Sequence, residues 1–384
     1  MSPHSVEHPT IAVVGGGNGS YTAAADLTLA GYSVRFRPGS RRRHADVLRS
    51  GTITVTGLGR TGVARPLLVS HDLRSVVSGA DIVICTDPAF AQPRLATLIA
   101  SYLSDGQIVF LSPGSLGSYL MASAVRALGI SVDVTYAEPG TLPYLTRKTD
   151  TCQVQVSSLA VHLPIGVYPA HRTDWAVDRL RLLFPGAHAV EDVLSVALLN
   201  VGPIIHSVLV LLSTAPIEHF PSWDIHNEGT TPSVKKLILA LDAERIAVRE
   251  ALGYVAPHYP IADHYHPQGD REWMYGRGGH TDLVKSEKWR EPLDFSHRYV
   301  REDVHETLAL LAGIGDLAGV DTPLADSVLR LFGAITGCDH LHQGRTPAAL
   351  GLGGIPANEV KRILREGRLR RSTAAATTGM NGRG

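Results

Sequence analysis

Cysteine is scarce in this sequence, and neither sign of charge is in excess. The three cysteines among 384 residues, Cys85, Cys152 and Cys338, lie far apart and form no CxxC pair or Cys/His ligand spacing. A disulfide framework and a metal site are therefore not expected, whereas a reducing compartment such as the cytoplasm is. Lysine plus arginine equals aspartate plus glutamate, at 36 each. Composition thus gives no indication of nucleic acid or a membrane surface as a partner.

Targeting and membrane segments are not expected either. Residues 1–10 are short and polar and are followed at once by a strand pattern, which is unlike a signal peptide. Residues 193–217 carry no charge and are long enough to cross a bilayer, but Asn200, Gly202 and His206 interrupt them. Because polar groups are costly inside a membrane, we expect this stretch to form a helix buried between two domains.

The chain is long enough for two domains, each with a sizeable core. In its first half, compact apolar runs alternate with a helical pattern, as is typical of βαβ units and a parallel sheet. The predicted strands are residues 10–14, 32–36, 81–85 and 107–111, and the predicted helix is residues 22–30. Beyond about residue 190 the strand patterns fade, and helices are predicted at residues 234–252, 302–318 and 324–334.

These patterns predict an α/β fold: a Rossmann-type doubly wound parallel sheet followed by an all-α C-terminal domain. The expected units are a dinucleotide-binding domain at residues 1–186, a helical substrate and catalytic domain at 187–371, and a disordered tail at 372–384.

A glycine-rich turn follows the first predicted strand and opens the first predicted helix. It reads Gly15-Gly16-Gly17-Asn18-Gly19-Ser20. Gly15 suits the tight turn, Gly17 lets backbone amides approach a pyrophosphate, and the helix N-terminus attracts the anion. We therefore interpret Gly15, Gly17, Asn18, Gly19 and Ser20 as cofactor-binding, the alternative being a turn without a ligand.

The end of the second strand usually selects between NAD and NADP. No acidic residue occurs from residue 34 to 45, where a ribose-binding carboxylate is expected, but five arginines do: Arg35, Arg37, Arg41, Arg42 and Arg43. Guanidinium groups suit a 2′-phosphate, so NADP is preferred over NAD, with Arg37, Arg41 and Arg42 as candidate ligands. The alternative is that several of these arginines form a solvated surface run.

Taken together, the motifs resemble the octopine/nopaline (opine) dehydrogenase family from Ile11 to about Leu352. The resemblance rests on the glycine turn, on Pro88-Ala89-Phe90, on Glu138-Pro-Gly-Thr-Leu-Pro-Tyr144 with Arg147, on Pro203-Ile-Ile-His206, and on Arg298-Tyr-Val-Arg-Glu-Asp303-Val304. It implies a two-domain enzyme that condenses an amino acid with a 2-oxo acid reductively in the cleft between its domains.

The resemblance also assigns roles to individual residues. The catalytic histidine falls on His206, its partner carboxylate on Asp303 and a substrate-binding arginine on Arg298, and Pro88 is expected to bind the cofactor. The chain departs from the family pattern at Gly202, Ser207 and His305, where the family commonly has asparagine, proline and proline. The resemblance therefore does not define the pair of substrates.

The same three residues suit imine reduction on chemical grounds. A histidine titrates near neutral pH, a carboxylate can fix its tautomer, and an arginine can clamp a substrate carboxylate. Each also has a structural alternative: His206 as a hydrogen-bonded core residue, Asp303 as a charge at a helix start, and Arg298 as a surface ion-pair partner.

Two other functions are alternatives to the opine reaction. A 2-oxo acid or hydroxyacid reductase on a similar frame commonly uses a lysine with an asparagine one turn later, but Lys235 and Lys236 have Leu239 and Ala240 there. A non-catalytic nucleotide-binding protein would not need both His206 and Asp303. The expected partners are small-molecule substrates, and the sequence leaves a homodimer open.

Overall fold

The computed structural model describes residues 8–265, 273–276 and 289–367. The tail predicted at residues 372–384 and most of the polar N-terminus lie outside the described residues. The strands are, in chain order, β1 (Thr10–Val14), β2 (Ser33–Arg37), β3 (Ile53–Gly57), β4 (Gly62–Ala64), β5 (Leu68–Val69), β6 (Ile82–Cys85), β7 (Ile108–Leu111), β8 (Thr135–Pro139), β9 (Tyr144–Asp150), β10 (Gln153–Leu159), β11 (Leu163–Tyr168) and β12 (Ala187–Ala189).

The described helices flank the strands in the first half and dominate the second half. They are α1 (Asn18–Leu29), α2 (Ala45–Ser50), α3 (Leu73–Val77), α4 (Gln92–Ile99), α5 (Gly117–Ala127), α6 (Thr173–Leu183), α7 (Val193–Ala197), α8 (Gly202–Leu212), α9 (Thr214–His219), α10 (Pro232–Ala251), α11 (Ile261–Tyr265), α12 (Ala309–Ala318), α13 (Pro323–Thr336), α14 (His340–Gln343) and α15 (Ala357–Glu366). A π-helix, Tyr299–Leu308, leads directly into α12.

An eight-stranded sheet organises the first domain in the order β12–β11–β8–β7–β6–β1–β2–β5. Six of these strands, from β5 to β8, run parallel, whereas β11 is antiparallel to β8. The order reverses between β1 and β6, which is where a doubly wound sheet opens a crevice for a nucleotide. Every residue of β6 and β7 is buried, as expected for apolar strands covered on both faces.

A second sheet was not predicted from the sequence. Its four strands lie in the order β4–β3–β10–β9, and β3 pairs in parallel with β10 across about a hundred residues of sequence. Residues of β10 alternate between buried and half-buried, so that Val154 and Val156 face the core around α1. The last strand of the first sheet, β12, pairs in parallel with β11.

The uncharged run at residues 193–217 forms three short helices, α7 to α9, instead of one. In an 18-residue window within residues 193–212, 78% of the residues are buried inside the protein, as expected for a core segment. The helical conformation is interrupted between α7 and α8. Arg245 of α10 donates a 2.9 Å hydrogen bond to the backbone carbonyl of Leu198, which lies at the end of α7. Arg245 also pairs with Asp242 at 2.7 Å. This buried guanidinium satisfies a helix end that would otherwise lack a partner, and so permits α8 to start in a new direction.

The two domains meet along the π-helix. Arg345, which is 4% exposed, donates to the carbonyls of Ala89 (2.7 Å) and Ser115 (2.9 Å) and to the side chain of Gln92 (2.8 Å) in the first domain. Its Nε atom binds Glu306 of the π-helix at 2.7 Å. A single buried side chain thus joins the sheet domain to the helical domain at the back of the cleft.

Candidate active site

The glycine turn lies in the crevice between β1 and β6, as predicted. Gly15 has a φ of 139°, and a Cβ there would lie 2.5 Å from the hydroxyl of Ser20. A Cβ at Gly17, by contrast, would meet no heavy atom within 4 Å. Gly17 precedes α1, so the backbone amides of this turn and the positive end of the helix dipole face open space. The arrangement fits the pyrophosphate of a dinucleotide.

The other residues predicted in this turn have different surroundings. The Oδ1 atom of Asn18 accepts a hydrogen bond from the backbone N–H of Lys148 at 3.1 Å, which ties the turn to the second sheet. Ser20 is fully buried and hydrogen-bonds Thr86, so its hydroxyl faces the protein. Gly19 packs beside Thr86 at the end of β6. Pro88 follows and lines the same groove.

The five arginines of β2 and the turn that follows it separate into three groups. Arg35 donates to the backbone oxygen of Ser78 at 2.8 Å, which is a structural role. Arg37 is half-buried beside the glycine turn, and its Nε atom has no hydrogen-bond partner among the described residues. Burial lowers the pKa of Arg37, while Asp87 opposes that change. Arg41 and Arg42, like Arg43, are exposed in the turn that follows. Together, Arg37 with its partnerless Nε atom and the exposed arginines of the turn give this place positive charge that suits an anionic group of the cofactor.

The cofactor groove continues into a second cavity between the domains. Both are lined by a shared set of residues: Pro113, Leu142, Leu145, Trp289, Arg298 and Glu302. The groove begins at Gly17 and reaches Pro88, and the second cavity contains His206 and Asp303. A dinucleotide whose pyrophosphate lies at Gly17 would therefore point its far end at the histidine.

His206 and Asp303 form a hydrogen-bonded pair on the wall of this second cavity. The Nδ1 atom of His206, on α8, lies 2.8 Å from Oδ2 of Asp303, on the π-helix. Gly202 leaves room for the carboxylate, since a Cβ there would stand 3.1 Å from Oδ1 of Asp303. The Nε2 atom of His206 has no hydrogen bond to any described residue, and the ring of Tyr299 packs against the imidazole with centroids 4.4 Å apart. Nε2 is thus the nitrogen available to a substrate.

The π-helix explains why Arg298 and Asp303 reach the same cavity. In an α-helix, residues five apart point about 140° away from each other. The i→i+5 hydrogen bonds of a π-helix bring such residues to one side, and π-helices are frequent at functional sites. Here Arg298 stands at the start of the π-helix and Asp303 follows five residues later, and both line the cavity. The sequence pattern had predicted an ordinary helix from residue 302.

Burial shifts the pKa values of the pair in opposite directions. It lowers the pKa of His206, and the positive charge of Arg298 lowers it further. It raises the pKa of Asp303 to about 7. Because the two groups share a hydrogen bond, they hold one proton between them and titrate as a pair. The pair can therefore hold or release one proton near neutral pH.

Glu302 is a site residue that the sequence analysis missed. Its Oε1 atom accepts from the backbone N–H of Ala89 at 2.9 Å, and its Oε2 atom lies 3.7 Å from Nη1 of Arg298. Burial raises the pKa of Glu302 to about 7, and neighbouring Asp303 adds to the effect. The only signal in the sequence was its position between Arg298 and Asp303.

The remaining cavity wall is largely apolar and aromatic. Trp273 and Tyr275 line it together with Trp289. Tyr275 is fixed by a 2.8 Å hydrogen bond to the carbonyl of Leu142. His226 stacks edge-on against His206, with centroids 5.2 Å apart. Sequence reasoning did not single out His226 or Trp289 for this site.

Fold and site together define a two-domain NAD(P)-dependent oxidoreductase. Residues 189–336 match the family described as NAD/NADP octopine/nopaline dehydrogenase, alpha-helical domain. The opine dehydrogenase of Arthrobacter sp. (strain 1C) is 31% identical over 360 residues, which cover 93% of this chain and 99% of that protein. The chain belongs to the opine dehydrogenase family and is an NAD(P)-dependent oxidoreductase acting on CH–NH bonds.

Solved structures support the same fold. Octopine dehydrogenase in complex with NADH and agmatine superposes with a TM-score of 0.69 at 18% identity, covering 94% of this chain and 99% of that one. NADP⁺-bound yersinopine dehydrogenase superposes with a TM-score of 0.62 at 16% identity, covering 94% of this chain and 99% of that one. The predicted Rossmann-type domain followed by a helical domain is thus confirmed.

Proposed function

We propose that this chain reduces the imine formed between a 2-oxo acid and the amine of an amino acid, using His206 and Asp303 as its acid–base pair. The observation that carries this proposal is the 2.8 Å contact between their Nδ1 and Oδ2 atoms, at the point where the cofactor groove enters the second cavity. Asp303 holds the Nδ1 proton, which leaves Nε2 to exchange a proton with the substrate.

The chemistry assigns one task to each group. The amine adds to the carbonyl carbon of the 2-oxo acid, and one amine proton passes to the oxygen to give a hydroxyl group. The Nε2 proton of His206 then goes to this hydroxyl as the C–O bond breaks, so that water leaves and a protonated imine remains. When bound, the reduced nicotinamide supplies the hydride that the C=N carbon receives. Arg298 holds the carboxylate of the oxo acid and so fixes which face of that carbon is presented. Asp303 stabilises the imidazolium before it gives up its proton.

We further propose that the amino acid has an apolar or aromatic side chain. The two carboxyl groups among the described cavity residues are already engaged, Asp303 with His206 and Glu302 with Ala89 and Arg298. A cationic side chain would therefore find no free partner among them. The rest of the described wall, including Trp273 and Trp289, offers apolar surface that suits a side chain without charge.

For the cofactor, we propose NADP in preference to NAD. Arg37 and the exposed Arg41 and Arg42 would bind the 2′-phosphate of NADP. The partnerless Nε atom of Arg37 supports this assignment. We also propose a cytoplasmic location, because Cys85, Cys152 and Cys338 are all unpaired.

The deciding experiment follows NADPH oxidation with a panel of 2-oxo acids, with and without amino acids. We expect oxidation only when both partners are present, with phenylalanine or leucine more than about tenfold better than arginine or glutamate by kcat/KM. Oxidation with an oxo acid alone, at the rate seen with both, would show a plain reductase. Binding of NADPH without any turnover would show a non-catalytic protein. Equal use of arginine and leucine would refute the side-chain assignment only.

A further inference from the structure

A second group of titratable side chains lies outside the cleft. His305 on the π-helix meets Cys338 and His340, which flank the start of α14. The Nδ1 atoms of the two histidines are 3.1 Å apart, and the Sγ atom of Cys338 is 3.9 Å from Nδ1 of His305. All three potential ligand atoms lie within 4.8 Å of one another. No metal site was expected from the sequence, because the three cysteines lie far apart and form no CxxC pair or Cys/His ligand spacing.

The spacing of these atoms is close to that of a tetrahedral metal centre. With Zn–N bonds of about 2.05 Å and a Zn–S bond of about 2.3 Å, tetrahedral angles place two nitrogens about 3.3 Å apart and sulfur about 3.6 Å from nitrogen. The measured separations of 3.1 Å and 3.9 Å differ from these values by a few tenths of an ångström. The third pair, Sγ of Cys338 and the ligand nitrogen of His340, lies within 4.8 Å. Side-chain rotations would be needed to bring all three atoms to tetrahedral spacing around an ion.

Hydrogen bonds behind His340 orient it as a ligand. The hydroxyl of Thr336 donates to the carbonyl of Phe332 at 2.8 Å, so its oxygen is left to accept from Nε2 of His340, also at 2.8 Å. With its proton on Nε2, His340 presents the lone pair of Nδ1 toward His305. An outer ring nitrogen bound in this way is the usual arrangement behind a metal-bound histidine.

We propose that His305, Cys338 and His340 form a site for a divalent transition metal of zinc type, distinct from the catalytic cavity. His305 and Cys338 are partly exposed, so solvent can reach the site and water can fill the fourth position. On binding, the thiol of Cys338 loses its proton to solvent, and the proton between the two histidines leaves Nδ1 of His305 for its Nε2 atom. Two imidazoles and one thiolate are ligands that zinc and cobalt share.

A metal ion bound at this site would connect two parts of the helical domain. His305 lies two residues after Asp303 on the π-helix, whereas Cys338 and His340 follow the end of α13. A metal held by all three would fix the π-helix to this turn and stabilise the fold. The proposal does not depend on the reaction assigned to the cleft.

The alternative is a purely hydrogen-bonded cluster. In that case the proton between His305 and His340 stays in place, and Cys338 donates its S–H to Oε1 of Gln343, which lies 3.6 Å away. Such a cluster would not take up metal with a thiolate ligand.

The test is a titration of the full-length, chelator-treated protein with Co²⁺. We expect one equivalent to produce a thiolate-to-cobalt charge-transfer band together with the visible bands of a tetrahedral ion, and Zn²⁺ to displace both. Cys338→Ser should abolish the charge-transfer band, whereas Cys152→Ser, which removes the other partly exposed thiol, should leave it unchanged. No band in the parent protein, or a band that survives Cys338→Ser, would overturn the proposal.

A further variant keeps all three ligands and so serves as a control for misfolding. Thr336→Val removes the acceptor behind His340 and should weaken Co²⁺ binding about 10–100-fold without loss of the band at saturation. Zn²⁺ should raise the melting temperature of the parent and of Cys152→Ser but not of Cys338→Ser. Equal stabilisation of all three proteins would place the metal elsewhere and refute the site.

Discussion

The Oε1 atom of Glu302 accepts a 2.9 Å hydrogen bond from the backbone N–H of Ala89, so a carboxyl group of the helical domain caps the chain that follows β6 in the other domain. The same carboxyl lies 3.7 Å from Arg298 through its second oxygen. Glu302 therefore connects the cofactor groove to the arginine that is proposed to hold the substrate carboxylate.

Replacing Glu302 should separate its structural role from its charge. In Glu302→Leu the buried N–H of Ala89 loses its acceptor, so the free energy of unfolding should fall by about 1–3 kcal/mol. Glu302→Gln retains a side-chain oxygen and should lose less than half of that amount. Urea denaturation measures both. If the two variants unfold at the same urea concentration, the hydrogen bond to Ala89 contributes nothing to stability.

Parts of this site could be predicted from the sequence because their signals are local. The apolar run of β1 and the glycine turn lie within ten consecutive residues, and the structure has β1 at the predicted residues 10–14. The second sheet could not be predicted, since β3 and β10 are brought together only by folding. The π-helix was also missed, because apolar periodicity indicates a helix but not which backbone hydrogen bonds it makes.

The catalytic assignment is tested most directly at His206. His206→Gln should lower turnover by about 10²–10⁴-fold, the usual contribution of a general acid or base, while the dissociation constant of NADPH changes little. Single-turnover absorbance and a fluorescence titration measure these two quantities. His219→Gln is the control, because His219 is exposed on α9. Turnover within a few-fold of the parent in His206→Gln would remove this histidine from the mechanism.

The direction of the pH dependence follows from the pair of His206 and Asp303. Burial raises the pKa of Asp303 to about 7, so below that pH the pair retains the proton that reduction needs, and above it the pair has lost it. The kcat/KM for reductive condensation should therefore fall about tenfold per pH unit above the apparent pKa, while oxidation of the opine should rise through the same range. A reductive profile that increases with pH would contradict this assignment. Asp303→Asn should flatten the transition.

The cofactor preference is tested at Arg37, the last residue of β2, and at the arginines of the turn that follows. Arg37→Gln should weaken NADPH binding at least about tenfold and NADH binding much less, because only NADPH offers a 2′-phosphate to a charge-assisted hydrogen bond. Replacing Arg41 and Arg42 together by glutamine tests the exposed pair. Arg49→Gln is the matched control, since its side chain is 78% exposed and binds Asp46 on α2. Equal losses for both dinucleotides would show that these arginines do not distinguish them.

Arg345 has a consequence for how the chain can be divided. Its guanidinium is buried between groups contributed by both domains, with Glu306 on one side and the carbonyls of Ala89 and Ser115 on the other. Cutting the chain between the domains would leave these carbonyls without their donor in one fragment and a half-satisfied cation in the other. We therefore expect neither fragment to be soluble when expressed alone, and co-expression of both to recover a folded enzyme. Two domains of different architecture would then behave as one cooperative unit.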